Sequence, residues 1–238
     1  MATLQDIPEI ILLCMEEKFI TAFNEALSAQ WASFAEKPKI KVTVLNKALR
    51  DVPPATKFQL VVSPANSYGR LDGAFDDAIS RNFCLPHHAY DTLTHAAQKI
   101  LYERWRGFAP PGSCTLVPFP KELEGTNKWG CKWVAICPTM RCPDTVSWDR
   151  EVVYECVWSL LCQVEGWNRH RSEDRIETIL ITPLATGVGA VSKQRWASQF
   201  VLALKHFVDA LERPERWSQL GWREIDEDVL EVEKTWKM

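Results

Sequence analysis

The 238-residue chain is short of several signals that would narrow its role at once. It has no basic excess: 28 Lys and Arg stand against 31 Asp and Glu, a formal net charge of -3. That removes the global electrostatic footprint of a nucleic-acid-binding protein, so no nucleic-acid partner is expected. No run approaches the roughly 20 apolar residues of a membrane-spanning helix, so no membrane association is expected either. The first residues, "MATLQDIPEIILLCMEE", lack the basic region of a secretory signal, and their apolar run "IILLCM" is short. There are eight cysteines, Cys14, Cys84, Cys114, Cys131, Cys137, Cys142, Cys156 and Cys162, yet none forms a C-x-x-C pair. The paired spacings of a zinc site are therefore missing, and no metal is expected. Most of these thiols lie inside apolar runs such as "WVAIC", where reduced cysteine packs as a small core residue. Together with the missing targeting signals, this predicts a cytoplasmic location, with the nucleus left open.

Repeats and low-complexity tracts are absent too. What remains is a chain with 46% hydrophobic and 25% charged residues, the balance of a globular protein. Its length suits one large domain, over residues 1–213, with an appendage over 214–238. Segments 9–14, 39–45, 58–62, 114–119, 132–137 and 176–182 read as strands. In "KIKVTVL", Ile40, Val42 and Val44 alternate with polar residues, the mark of a strand with one wet face. "FQLVV" is almost continuously apolar, as in a strand covered on both sides. Helical spacing is clearest over 16–31, 149–167 and 192–212, with shorter helices over 74–82 and 90–105. The stripes Phe19, Phe23, Leu27, Trp31 and Trp196, Phe200, Leu204, Phe207, Leu211 read as core faces. Asp149 and Ser192 are the expected N-caps of the two long helices, and Pro214 lies just past the second. Strands alternating with helices predict an α/β layered domain. In the acidic tail, Leu220, Ile225, Val229, Val232 and Trp236 suggest one more amphipathic helix, packed on the domain or offered to a partner.

Two strand ends carry unusual loops. In α/β sheets ligands bind beyond the carboxyl ends of strands. "SPANSYGRLDGAFDDAI" follows "FQLVV", and "TPLATGVGAVSKQRW" follows "IETILIT". Glycine lets backbone N–H groups approach an anion, and a following helix N-terminus adds unpaired donors and a favourable dipole. The second loop lacks the G-K-[ST] ending of a Walker A loop and the full G-x-G-x-x-G of a dinucleotide site. Taken alone, "TGVG" equally fits a turn that needs glycine. In the first loop, Asn66 offers both a donor and an acceptor for a sugar hydroxyl. Asp72, Asp76 and Asp77 bring three carboxylates close together, and Asp72 equally fits a helix cap.

Together the loops resemble those of the macrodomain family, whose members bind ADP-ribose. The resemblance rests on "FQLVVSPANSYG", "LDGAFDDAI", "WVAICPTM" and "ILITPLATGVGAVSKQRWASQFVLAL", and spans residues 38 to 212. It implies a three-layer α-β-α fold with a mixed central sheet, here with an extra C-terminal helical segment. Carried over, Asn66 holds the distal ribose, with Ser67, Tyr68, Gly69 and Asp72 around it. Gly73 and Ala74 approach that ribose and its phosphate. Thr186, Gly187, Val188, Gly189 and Ala190 cradle the diphosphate. Asn46 is the nearest candidate to read adenine, and Tyr68 or a tail tryptophan the candidate to stack on it. Asp76 matches the carboxylate of hydrolytic members, so Asp76 and Asn66 are the catalytic candidates. The implied activity is hydrolysis of an ADP-ribosyl-protein linkage or of ADP-ribose 1''-phosphate, without a cofactor. The alternative is a non-catalytic ADP-ribose reader. The implied partner is ADP-ribose or an ADP-ribosylated protein, met by a monomer. The chain departs from the family where Arg70 and Leu71 interrupt a run of glycines and where Asp77 replaces a glycine.

Overall fold

The structure, a computed structural model, describes residues 3–34, 38–171 and 173–238. Six strands form one sheet: β1 (Glu9–Cys14), β2 (Val42–Asn46), β3 (Leu60–Ser63), β4 (Thr115–Pro118), β5 (Trp133–Ile136) and β6 (Thr178–Ile181). Their order is β2-β1-β6-β3-β5-β4. All neighbours are parallel except β4, which runs antiparallel to β5 at one edge. Strand residues alternate between two cores. Ile10, Leu12, Leu60, Val62, Ile179 and Ile181 face one, and Ile11, Leu13, Val61, Val134 and Leu180 face the other.

The first core is closed by α1 (Glu17–Gln30), α4 (Val152–His170) and α5 (Lys193–Glu212), the second by α2 (Ala74–Phe83) and α3 (Thr92–Trp105). The expected three-layer α-β-α arrangement with a mixed sheet and added C-terminal helices is what the structure has. The aromatic stripes join α1 to α5: Phe19 meets Trp196 edge-on at 5.7 Å between ring centroids, and Phe23 meets Phe200 at 5.9 Å.

Three local expectations change. β2 starts at Val42 rather than residue 39, because its partner register begins at Ile10 opposite Val42. The N-cap of α4 is Glu151; Asp149 Oδ1 instead accepts the Glu151 N–H at 2.8 Å and tightens the turn before it. The N-cap of α2 is Gly73, because the Asp72 carboxylate is taken by Arg70. Ser192 does cap α5, accepting the Arg195 N–H at 3.0 Å. Of the cysteines, Cys142 and Cys162 are exposed; Cys162 lies on the outer face of α4, where an apolar run in sequence crosses to solvent.

The tail forms α6 (Pro214–Trp217) and α7 (Trp222–Glu233) against α5. Its expected apolar stripe is only partly used, since Val232 is buried while Val229 is exposed. Polar ties complete the attachment. Glu231 accepts from Lys205 and lies 3.0 Å from His206 Nε2, and Arg216 pairs with Asp228. No helix among the described residues is long and apolar enough to cross a membrane.

Candidate functional site

The parallel strands all end on one edge of the sheet, and the two loops singled out above follow adjacent strands, β3 and β6. Between them lies a cavity of about 220 Å3. Asn66, Arg70, Asp72, Gly73, Ala74 and Asp76 line one side, and Thr186, Gly187, Val188 and Gly189 the other. It is smaller than the roughly 300–1,000 Å3 of a typical ligand pocket. A wider cleft between α5 and α7 is lined by charges that already pair with one another, among them Lys205 with Glu231 and Arg216 with Asp228.

Asp76 sits in the first turn of α2, 6% exposed. Its Oδ1 accepts a 2.7 Å hydrogen bond from Ser63 Oγ at the end of β3. Burial pushes its pKa up to about 7; the Ser63 hydroxyl opposes that shift, and the nearby Asp72 carboxylate adds to it. A carboxyl poised near neutrality can take or give a proton. It also carries less negative charge against an anionic ligand than a fully ionised one.

Backbone donors flank it on both sides. The N–H groups of Thr186, Gly187, Val188 and Gly189 donate to no protein acceptor among the described residues; neither do those of Gly73, Ala74 and Phe75 at the start of α2. Unpaired amides of residues lining one cavity, each run leading toward a helix, suit a phosphate. The loop before α5 holds its turn through two alanines in the left-handed region, Ala185 (φ 59°) and Ala190 (φ 55°), rather than through its glycines. Gly189 serves close approach instead: a Cβ there would stand 2.5 Å from the Ala185 carbonyl oxygen. A Cβ on Gly187 would meet nothing within 4 Å.

Several sequence candidates lie elsewhere. Ala190 spends its N–H on the Gly187 carbonyl at 3.0 Å, so it closes the turn and leaves the cavity to its neighbours. Ser67 is fully buried behind the loop and bonds Met140 O. Gly69 donates to Asn66 O, and a side chain there would strike Leu101. The Tyr68 ring packs against Phe108 at 5.8 Å, and its hydroxyl accepts from Arg141 Nε. Asn46, at the end of β2, donates to Glu17 Oε2 at 2.9 Å and does not line the cavity. The tail tryptophans do not line it either. Asp77 faces outward, bound by Arg81 and Tyr90.

Asn66 lines the cavity but spends most of its side chain on its own loop. Its Oδ1 accepts from the Tyr68 and Arg70 N–H groups at 3.0 and 3.3 Å, and Nδ2 donates to the Arg70 carbonyl at 2.9 Å. One Nδ2 hydrogen remains for a ligand. Leu71 is fully buried in the second core and does not narrow the cavity, whereas Arg70 lines it and holds Asp72.

The structure also adds residues the sequence did not single out. Met15 follows β1, and Thr139, Met140 and Pro143 follow β5. Thr139 is fully buried, and its hydroxyl has no hydrogen-bond partner among the described residues. A buried hydroxyl without a partner is costly. Among the described residues, no group of three or more His, Cys, Asp or Glu side chains can hold a metal ion.

No protein-family model matches the chain, and no curated protein matches it in sequence. Solved structures do. Those it is similar to include macrodomains. One is the macrodomain of Mycobacterium tuberculosis DarG, 16% identical, covering 65% of this chain and 86% of that chain, with a TM-score of 0.46. Another is the Oceanobacillus iheyensis macrodomain with MES bound, 14% identical, covering 76% and 85% of the two chains, with a TM-score of 0.47. The same macrodomain with ADP is 14% identical, covering 66% and 90%, with a TM-score of 0.36.

Proposed function

We propose that the cavity binds ADP-ribose and that the protein hydrolyses ADP-ribose derivatives, either an ADP-ribosyl-protein linkage or ADP-ribose 1''-phosphate. One observation carries this reading: a buried carboxyl near neutrality shares a cavity with two sets of unspent backbone N–H groups. The amides of 186–189 and of 73–75 hold the diphosphate and the distal phosphate edge. The remaining Asn66 Nδ2 hydrogen and the Thr139 hydroxyl meet ribose hydroxyls.

In this reading Asp76 accepts a proton from a water directed at the anomeric carbon. As that water attacks the anomeric carbon, the bond from that carbon to the acceptor oxygen breaks, and the leaving oxygen takes the proton that Asp76 has gained. The ionised carboxyl also stabilises positive charge developing on the sugar. A second reading, an ADP-ribose reader without turnover, is favoured by Asp76 itself. Its Oδ1 is already engaged by the Ser63 hydroxyl and its side chain is almost wholly buried, which leaves little of the carboxyl for a water.

Calorimetry with ADP-ribose, followed by release assays on a mono-ADP-ribosylated protein and on ADP-ribose 1''-phosphate, separates the two. Binding with release that depends on Asp76 supports the hydrolase. Binding without release on either substrate leaves the reader. No binding refutes both.

A further inference from the structure

One polar side chain interrupts the apolar interior of β3. Leu60, Val61, Val62 and Ser63 are all fully buried. Successive side chains of a strand point to opposite faces. Leu60 and Val62 enter the core closed by α1, α4 and α5, and Val61 enters the core closed by α2 and α3. Ser63 therefore points to the α2 side, where the first turn of that helix brings Asp76. Its Oγ donates to Asp76 Oδ1 at 2.7 Å and has no other hydrogen-bond partner among the described residues. The strand beneath it is fixed independently, since the Ser63 carbonyl accepts the Cys137 N–H at 3.0 Å. The hydroxyl is thus committed to one carboxylate oxygen and to nothing else.

The two oxygens of Asp76 are therefore not equivalent. No hydrogen bond reaches Oδ2 among the described residues, and that oxygen is not sealed from the surface as the Thr139 hydroxyl is. Asp76 lines the cavity, so Oδ2 is the oxygen it offers there. Little else could hold the carboxyl in its ionised form. Asp72 opposes ionisation, and Arg70, the one cation among the described lining residues, is spent on Asp72. Asp77, next on α2, is bound by Arg81 and Tyr90. Met15, Thr139 and Thr182, from the ends of β1, β5 and β6, are uncharged, and so are the lining residues of the second loop. The Ser63 hydroxyl is the hydrogen-bond donor that favours the ionised carboxyl, against the burial that disfavours it.

Resting on the reading of the cavity as a hydrolase site, we propose that Ser63 is a positioning residue: it fastens Oδ1 so that Oδ2 alone meets the attacking water. Oδ2 gains the water's proton as the water oxygen bonds the anomeric carbon. It passes that proton to the oxygen whose bond to that carbon breaks, and the carboxylate is restored. The test uses the full chain as wild type, Ser63→Ala and Ser63→Thr, with folding checked by circular dichroism. A base must be ionised, so kcat for ADP-ribose release in the wild type should rise with pH through about 7. Losing a donor to a carboxylate should move that midpoint up by about one pH unit in Ser63→Ala and cut kcat at pH 7 by about fivefold. ADP-ribose affinity in calorimetry should hold. Ser63→Thr, which keeps the hydroxyl, should restore the wild-type midpoint. Where Ser63→Ala does not fold, Ser63→Cys puts a weak donor in the same space and should move the midpoint the same way. An unmoved midpoint in the folded variant, a Ser63→Thr midpoint matching Ser63→Ala, or an affinity that falls as far as kcat overturns the proposal and leaves the hydrolase standing. A wild type that binds ADP-ribose and releases none removes the hydrolase, and the positioning role with it.

Discussion

The two loops at the carboxyl edge of the sheet hold their shapes by opposite means. The loop after β3 is tied by side chains: Asn66 bonds three backbone groups, Arg70 holds Asp72, and Leu71 is sunk in the core. It delivers a carboxyl, Asp76, beside the unspent amides of 73–75. The loop before α5 is tied by backbone at its ends, through Ala190 and Val191, and leaves four consecutive amides unspent between them. A loop fixed by side chains can present chemistry, while a loop fixed by its own backbone can present donors. The cavity draws amides from both loops, and its carboxyl from the first alone.

The largest expected effect separates chemistry from binding. Asp76→Asn should lower release of ADP-ribose by about 100-fold or more, the range for loss of a general base, while ADP-ribose affinity in calorimetry changes little. The same variant carries a stability signature. Unfolded, the carboxyl ionises near its ordinary value of 3.8; folded, not until about 7. Between those values the unfolded state gives up its proton first, so stability falls as pH rises, by roughly 4 kcal/mol in all. Urea unfolding at pH 4.5 and pH 8 should show that fall in the wild type and lose most of it in Asp76→Asn. An equal fall in both would mean the carboxyl is not buried as described.

Two glycines in the second loop sharpen the other side. Gly187→Glu places a carboxylate where a diphosphate would lie, in space that a Cβ enters without contact. ADP-ribose affinity should drop by about 100-fold, near 3 kcal/mol, while the melting temperature stays put. Retained affinity would remove this loop from the site. Gly189→Ala is the converse, since its Cβ would stand 2.5 Å from the Ala185 oxygen and 2.9 Å from Val146 Cγ2. Overpacking of that kind costs about 1–3 kcal/mol, visible as a lower denaturant midpoint. The two positions should thus divide one loop into a binding residue and a packing residue.

Much of this was legible in the sequence, because apolar runs and glycine-bearing loops are local patterns. "FQLVV" and "TILI" announce buried strands, and the Ser192 cap announces α5. What escaped depends on pairing across the chain. Nothing in "TGVGA" says that Ala190 spends its amide on Gly187 while Val188 does not. Nothing near Leu71 says that it turns inward rather than into the cavity. Asn46 looked close to a ligand by position, but β2 lies at the far edge of the sheet and Glu17 takes its amide. Thr139 and Met140 enter the site only because β5 pairs with β3, bringing Met140 beside Asn66.

Thr139 gives the smallest effect and the most discriminating one. Its N–H is satisfied by the Ala65 carbonyl at 3.0 Å, so the backbone is fixed whatever the side chain does. The hydroxyl is buried without a partner, a state that costs about 1–3 kcal/mol. Thr139→Val keeps the shape and removes that hydroxyl. If it serves only packing, stability should rise or hold and ADP-ribose affinity should not move. If it donates to a ribose hydroxyl, stability should still rise or hold while affinity falls by about five- to tenfold, the net value of one hydrogen bond. Opposite signs in unfolding and in calorimetry would place Thr139 in the site as a contributor from β5, joined to neither loop.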